Sequence, residues 1–258
     1  MRLPAGVRRI TNPLLANVRV PIMGGVNRGL WWSLISSGSG YASGRRAAAQ
    51  MQLIEDLIQP GDVMFDIGAH HGYVTLAASR KVGARGTVHA FEPSEMNRGR
   101  LSRHVAWNKL ANAVVHPYAL SNYNGECSFG GTGTSRMFAM GAGDEIVQVR
   151  SAESLVQQNV CSAPDFSKID VEGAEADTVR GLLPVLSRSA RLLIAMHGAE
   201  ADAQCTKLLK DAGFTCIASR ALERSRQGGW QSDPDLYAVG PDYSGAANDL
   251  ATLRAANF

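Results

Sequence analysis

Chemistry-bearing residues gather in two short phrases of the chain. The first is Phe65-Asp66-Ile67-Gly68-Ala69-His70-His71-Gly72, in which an apolar run ends in an acid and a glycine-bounded turn follows. A second apolar run, Val88 to Phe91, also ends in an acid, Glu92, twenty residues past Gly72. Glycines in such a turn let backbone approach a ligand, and an acid after the next strand can accept hydrogen bonds from ribose hydroxyls. The spacing is Asp-x-Gly-x-x-x-Gly, so the turn lacks the Gly-x-Gly-x-x-Gly of a dinucleotide fingerprint. Asp66 at a strand end suits a ligand with a cationic end rather than one offering phosphate.

The second phrase is Lys168-Ile169-Asp170-Val171-Glu172-Gly173-Ala174-Glu175, which sets three carboxylates within six positions. In a doubly wound sheet this strand end lies beside the first, so Asp170 is expected to face the same crevice as Asp66. Glu172 and Glu175 could equally begin a helix, where acids favour the macrodipole. His197 closes a later apolar run.

The elements needed to hold these residues are legible as βα alternation. Strands are expected at Val63–Ile67, Thr87–Phe91, Ala113–Ala119, Phe166–Asp170 and Arg191–His197, with two more at Phe214–Ala218 and Leu236–Val239 separated by a polar loop. Helices are expected over Arg46 to Ile58, Tyr73 to Ser79, Ser94 to Leu110 with Ser94 as N-cap, and Glu200 to Ala212 before Gly213. The pattern predicts an α/β fold, a doubly wound seven-stranded mostly parallel sheet preceded by an irregular N-terminal extension. The division is residues 1–45 for the extension and 46–258 for the domain. The Gly/Ser/Thr-rich stretch from Ser121 to Asp144 reads as a hairpin loop, or as a loop covering a substrate.

Composition narrows the classes. With 258 residues the chain can bury a substantial core. No run of about 18 apolar residues occurs, so no membrane-spanning helix is expected. Cys127, Cys161, Cys205 and Cys216 form no Cys-x-x-Cys pair and are read as reduced thiols of a cytoplasmic protein. Net charge is +3, unevenly spread: no Asp or Glu precedes Glu55, whereas Arg2, Arg8, Arg9, Arg19, Arg28, Arg45 and Arg46 do. That basic leader could be a structured extension, a transit segment, or a contact for anionic lipid or an acidic substrate. No basic-aromatic repeat accompanies it, so nucleic acid is not expected as a partner.

Taken together, the two phrases resemble the FkbM-type methyltransferases, a branch of the class I S-adenosylmethionine-dependent enzymes with a Rossmann-like fold. The resemblance rests on Phe65-Asp66-Ile67-Gly68-Ala69 with Gly72-Tyr73, on Ala90-Phe91-Glu92-Pro93 with Asn97, on Ala119-Leu120-Ser121 with Gly125, and on Lys168 to Glu175. It spans about Gly61 to His197. It implies that Asp66, Gly68, Ala69 and Gly72 line the amino-acid end of S-adenosylmethionine, Glu92 the ribose, and Ala119, Leu120 and Ser121 the adenine. It also implies that Asp170 and His197 lie near the transferred methyl, with His197 as general base and His70 or His71 as alternatives. His116 is read as structural.

Several departures bear on the acceptor. His70-His71 stands where the family commonly has Asn and a small residue, Ala152-Glu153 replaces a usual Leu-Asp, and Ala195-Met196-His197 lacks an acid two residues before the histidine. A divalent cation on Asp170, Glu172 and His197 is a secondary expectation. The expected acceptor is a small molecule, sugar or lipid-linked hydroxyl. A nicotinamide-dependent oxidoreductase and a non-catalytic cofactor-binding protein are the alternatives.

Overall fold

The computed structural model describes residues 15, 17–36, 39–45, 47–130, 139–140, 145–227, 234–256 and 258. A hairpin opens it, β1 (Arg19–Pro21) with β2 (Trp31–Ser33), then the short α1 (Ser39–Ala42) and α2 (Ala48–Leu57). The alternating body follows: β3 (Val63–Ile67), α3 (Tyr73–Val82), β4 (Thr87–Phe91), α4 (Glu95–Trp107) and β5 (Ala113–His116). After β6 (Tyr118–Leu120), β7 (Gly125–Gly130), β8 (Ala139–Met140), β9 (Glu145–Arg150) and α5 (Ala152–Gln157), alternation resumes. The remaining elements are β10 (Phe166–Ile169), α6 (Glu175–Leu182), β11 (Arg191–Ala195), α7 (Ala199–Asp211), β12 (Thr215–Ala218), α8 (Arg220–Gln227), β13 (Asp235–Val239) and α9 (Ala246–Ala255).

Seven strands form the central sheet in the order β12-β13-β11-β10-β3-β4-β5. The pairs among β5, β4, β3, β10 and β11 are parallel, and β13 runs antiparallel to both its neighbours. The chain therefore reverses direction once within the sheet, at β13. This is the α/β architecture expected from the alternation. Strand periodicity divides the core in two. Phe65, Ile67, Leu192 and Ile194 point into one buried cluster, whereas Met64, Leu193 and Tyr237 point into the other. A sheet covered on both faces needs apolar residues at consecutive positions, as Arg191-Leu192-Leu193-Ile194-Ala195 shows apart from its first residue. Truncating Leu192 or Leu193, both fully buried, to Ala would cost about 2–5 kcal/mol.

Arg191 is itself buried because Asp62 takes its guanidinium at 2.7 and 2.8 Å and the Leu57 carbonyl accepts another of its hydrogens. The pair ties β11 to the entry of β3 at the end of the sheet opposite the strand carboxyl ends.

Several expectations are corrected. The third strand is not continuous from Ala113 to Ala119. Pro117 has no backbone N–H to give a ladder, and the chain leaves the central sheet there. β6 instead pairs with β9 in a second, four-stranded sheet ordered β6-β9-β7-β8. Gly125–Gly130 and Glu145–Arg150, in and just after the stretch read as a loop, are the antiparallel strands β7 and β9. Residues 131–138 and 141–144, with most of its Gly/Ser/Thr run, lie outside the described residues. The polar loop expected between the last two strands contains helix α8. Ser94 does occupy the N-cap of α4, but its side chain makes no capping hydrogen bond. The strand expected to reach His197 ends at Ala195.

The basic leader also carries more structure than its composition announces. Trp32 is fully buried, stacked on His104 at 3.9 Å and on Tyr41 at 5.8 Å, and Ser33 donates its backbone N–H to His104 Nε2.

Candidate active site

The carboxyl ends of β3, β4, β10 and β11 open into one cavity of about 400 Å³, of the size of a small-ligand site. Its first wall is the turn after β3. Gly68 adopts a left-handed conformation (φ 79°), and a Cβ there would stand 2.0 Å from the Asp170 carbonyl oxygen. The backbone N–H groups of Gly68 and Ala69 both donate to the Phe91 carbonyl, which ties the turn to β4. His70 also adopts a positive φ, 51°, unusual for a residue with a Cβ. That twist points its amide at Glu92 Oε2, 2.7 Å away.

Glu92 is thus held from two sides, its other oxygen accepting from the Ser94 amide at 3.0 Å. It is 4% exposed, and burial pushes its carboxyl up to about 7 despite these hydrogen bonds. Asp66 is 1% exposed and takes the Thr75 hydroxyl at 2.5 Å, and burial raises it to about 6. Both acids line the cavity. Two buried carboxylates at the rim of one glycine turn are costly in an empty site, and a ligand with donors or positive charge would offset that cost.

The second wall is acidic and more open. Lys168 lies within the fully buried β10, in register with Asp66, and its ammonium pairs with Asp170 at 2.6 Å. Placement within the cavity would raise the Asp170 pKa, but the Lys168 charge and hydrogen bond outweigh this and hold it below the usual range. His197, two residues past β11, donates from Nδ1 to Glu175 Oε1 at 2.6 Å. Glu175 is itself fully buried and steadied by the Gly173 amide at 3.1 Å. This bond leaves Nε2 on the cavity side, 3.7 Å from both Asp170 and Glu172. Burial alone would lower the His197 pKa, but Glu175 and the surrounding carboxylates prevail and raise it. The arrangement gives an imidazole of fixed tautomer able to take a proton.

Of the residues expected at the site, Asp66, Gly68, Ala69, Glu92, Ala119, Leu120, Asp170 and His197 all line the cavity. Gly72 and Ser121 do not. Gly72 caps α3 with φ 88°, and a Cβ there would meet Leu101 at 2.3 Å, so it serves helix packing. Ser121 is buried behind β6, where its amide donates to the Arg150 carbonyl. Both His70 and His71 border the cavity, but His71 is buried beside the Arg100 guanidinium, and burial first, then neighbouring charge, pushes its pKa down to about 2. His116 lies at the end of β5, 2.9 Å from His89, as a packed strand residue.

Residues not foreseen complete the walls. Tyr41, Gln50, Met51 and Ile54 close one side from α1 and α2, and Tyr118 and Phe129 border the side near Ala119. Lys168 carried a signal that could have found it: a lysine inside an otherwise buried parallel strand needs a nearby anion. Phe129 carries none, since the Gly/Ser/Thr-rich stretch around it reads as a loop. Among the described residues no group of three or more His, Cys, Asp or Glu is arranged to hold a metal ion.

Comparison with known proteins agrees with this fold. The Hexuronic acid methyltransferase AglP of Haloferax volcanii is 27% identical over 169 residues, covering 63% of this chain and 67% of that protein. An O-methyltransferase from Bacillus cereus, solved in complex with SAH, shares the fold at a TM-score of 0.50 and 14% identity, over 74% of this chain and 80% of that one. A model of the Methyltransferase FkbM domain matches residues 66–216, from the acid of the first turn through Asp170 and His197 into β12, and the chain belongs to this family of S-adenosylmethionine-dependent methyltransferases.

Proposed function

We propose that this chain transfers a methyl group from S-adenosylmethionine to a hydroxyl of a sugar or another small acceptor, free or lipid-linked, with His197 as general base. The observation carrying this reading is the Glu175–His197 pair, which turns Nε2 towards the cavity beside the end of β10. A hydroxyl is a poor nucleophile until its proton leaves, and a base of fixed tautomer within reach supplies that step. The hexuronic acid named for the Haloferax relative favours a sugar among the possible acceptors.

The residues present fit the cofactor. The glycine cradle at Gly68 admits close backbone approach, Asp66 suits the ammonium end, and Glu92 suits ribose hydroxyls as an acceptor. Ala119 and Leu120, with Tyr118 and Phe129, offer apolar walls for adenine. When bound, S-adenosylmethionine supplies an already activated methyl on a sulfonium, so the protein's contribution is mostly positioning. Lys168 keeps Asp170 ionised, and Asp170 with Glu172 steadies the imidazolium that forms when His197 takes the proton.

In this reading residues 46–258 are the methyltransferase domain, and the preceding residues are an appendage that lends Tyr41 to the cavity. The four free thiols suit a reducing compartment such as the cytoplasm. A nicotinamide oxidoreductase loses its support with the family assignment. The test is incubation with radiolabelled methyl donor and a panel of uronic acid glycosides, neutral glycosides and cell extract. Label in a base-stable ether is the expected product. Label in a base-labile ester, or none with S-adenosylhomocysteine still bound, would overturn the hydroxyl assignment.

A further inference from the structure

The hairpin that opens the fold displays apolar side chains outward. Nine large apolar residues stand exposed among the described residues, and four of them, Val18, Met23, Trp31 and Leu34, fall within one seventeen-residue stretch. Met23 is 70% exposed. Leu34 donates its amide to the Val18 carbonyl on one face of the ribbon, whereas on the other Trp31 pairs in register with the exposed Pro21, with Arg19 and Met23 at the same alternation. The ribbon is firmly anchored. Trp31 donates its amide to Asn108 Oδ1 at 2.7 Å, Asn27 donates to the Tyr73 carbonyl at 2.8 Å, and Trp32 is buried beneath. A rigid mount for outward apolar groups marks a contact surface rather than an unfinished core.

Its charge has one sign. The Arg19 guanidinium lies 4.7 Å over the Trp31 ring, Arg28 is exposed, and Arg80 donates to the carbonyls of Val26 and Arg28 at 3.2 Å. No ion pair joins these three arginines to an acid among the described residues, and no acid precedes Glu55 in the sequence. Arginines beside an exposed tryptophan and methionine match an interface whose outer layer is anionic and whose inner layer is apolar. A second copy fits less well, because a two-fold contact would bring these arginines against one another.

We infer that the β1–β2 hairpin docks this protein on an anionic lipid surface through Met23 and Trp31, with Arg19, Arg28 and Arg80 at the headgroups. The surface adjoins the cavity. Met23 donates its amide to the Ala42 carbonyl, next to the cavity-lining Tyr41. Docking there would bring a lipid-linked acceptor to the site, although the docking itself does not depend on the methyl-transfer reading.

The test is co-sedimentation of the full chain with vesicles of phosphatidylcholine alone, and of phosphatidylcholine mixed with phosphatidylglycerol. Binding is expected to the mixed vesicles only, and to fall steeply between about 0.05 and 0.5 M salt. Arg19→Gln and Arg28→Gln should each weaken it about fivefold. Met23→Ser with Trp31→Ala should weaken it at least tenfold, while the cooperative thermal transition of the ligand-free protein stays as in the parent, showing intact folding. Equal binding to neutral vesicles, no binding to either, or full binding by the double variant would overturn the inference. So would a concentration-dependent dimer abolished by that variant, which would assign the surface to a second copy.

Discussion

The two ends of the cavity are built by different means. At the β3–β4 end, Glu92 is gripped by two backbone amides and Asp66 by Thr75, and both acids are almost wholly buried. At the β10–β11 end, Asp170 and Glu172 keep 47% and 43% of their side-chain surface and converge on His197 through side chains alone. Backbone grips are set by the turn geometry and tolerate few alternatives. Side-chain grips can be rearranged by single substitutions. In the reading proposed above, the first construction would hold the cofactor and the second the acceptor.

The comparison breaks if the two ends prove coupled. The largest effect is expected from His197→Ala, which should lower kcat by about 10²–10⁴-fold and leave S-adenosylhomocysteine affinity unchanged. A matching loss of cofactor affinity, measured by calorimetry, would show that the ends are not separable.

Next comes Gly68→Ala. Its φ of 79° and the 2.0 Å approach to the Asp170 carbonyl leave no room for a methyl group. The strain should cost about 3 kcal/mol, which corresponds to a fall in Tm of roughly 6–12 °C. Cofactor binding should be lost with it. An unchanged melting curve would contradict the packing described at this turn.

The third prediction uses the raised Glu92 carboxyl. Its ionised form is the better acceptor for ribose hydroxyls. Below a pKa of about 7 the proton competes, and S-adenosylhomocysteine affinity should fall by up to about tenfold per pH unit. The same shift makes a stability claim. The folded carboxyl titrates above its ordinary value, so the folded state binds the extra proton between the two. The ligand-free protein should therefore lose stability as pH rises from about 4.5 to about 7. Denaturant titrations across this window, in parent and Glu92→Gln, check the sign.

The smallest effect sharpens the acceptor end. Glu175→Gln keeps an oxygen for the His197 Nδ1–H but removes the charge that helps raise its pKa. The acid limb of kcat/KM should move to lower pH, with a rate loss of less than about tenfold. A limb that stays in place would remove His197 as the group it reports.

Legibility followed the same division. Asp66, Gly68 and Glu92 could be read because glycine and acid spacings encode backbone turns. β3, β4, β10 and β11 could be read because a sheet buried on both faces writes itself as apolar runs. Pro117 was visible but its meaning was not, since a proline marks a break without saying where the chain goes next. β7 and β9 were missed because Gly125–Gly130 and Glu145–Arg150 bury only alternate or terminal residues beside a Gly/Ser/Thr run. Gly72 and Ser121 stand in motifs that point to the site, yet neither lines the cavity: Gly72 abuts Leu101, and Ser121 gives its amide to the Arg150 carbonyl. The Glu175–His197 contact joins residues 22 apart in sequence, and neither one's immediate neighbours encode it.

The central claim is that one molecule of S-adenosylmethionine is held at the glycine turn between Asp66 and Glu92. Isothermal titration of S-adenosylhomocysteine into the parent protein, Asp66→Ala and Glu92→Ala at pH 8 tests it most directly. The account predicts micromolar binding by the parent and a loss of at least tenfold in each variant, with both variants still cooperatively folded. No heat of binding in the parent, or parent-like affinity in both variants, would contradict it.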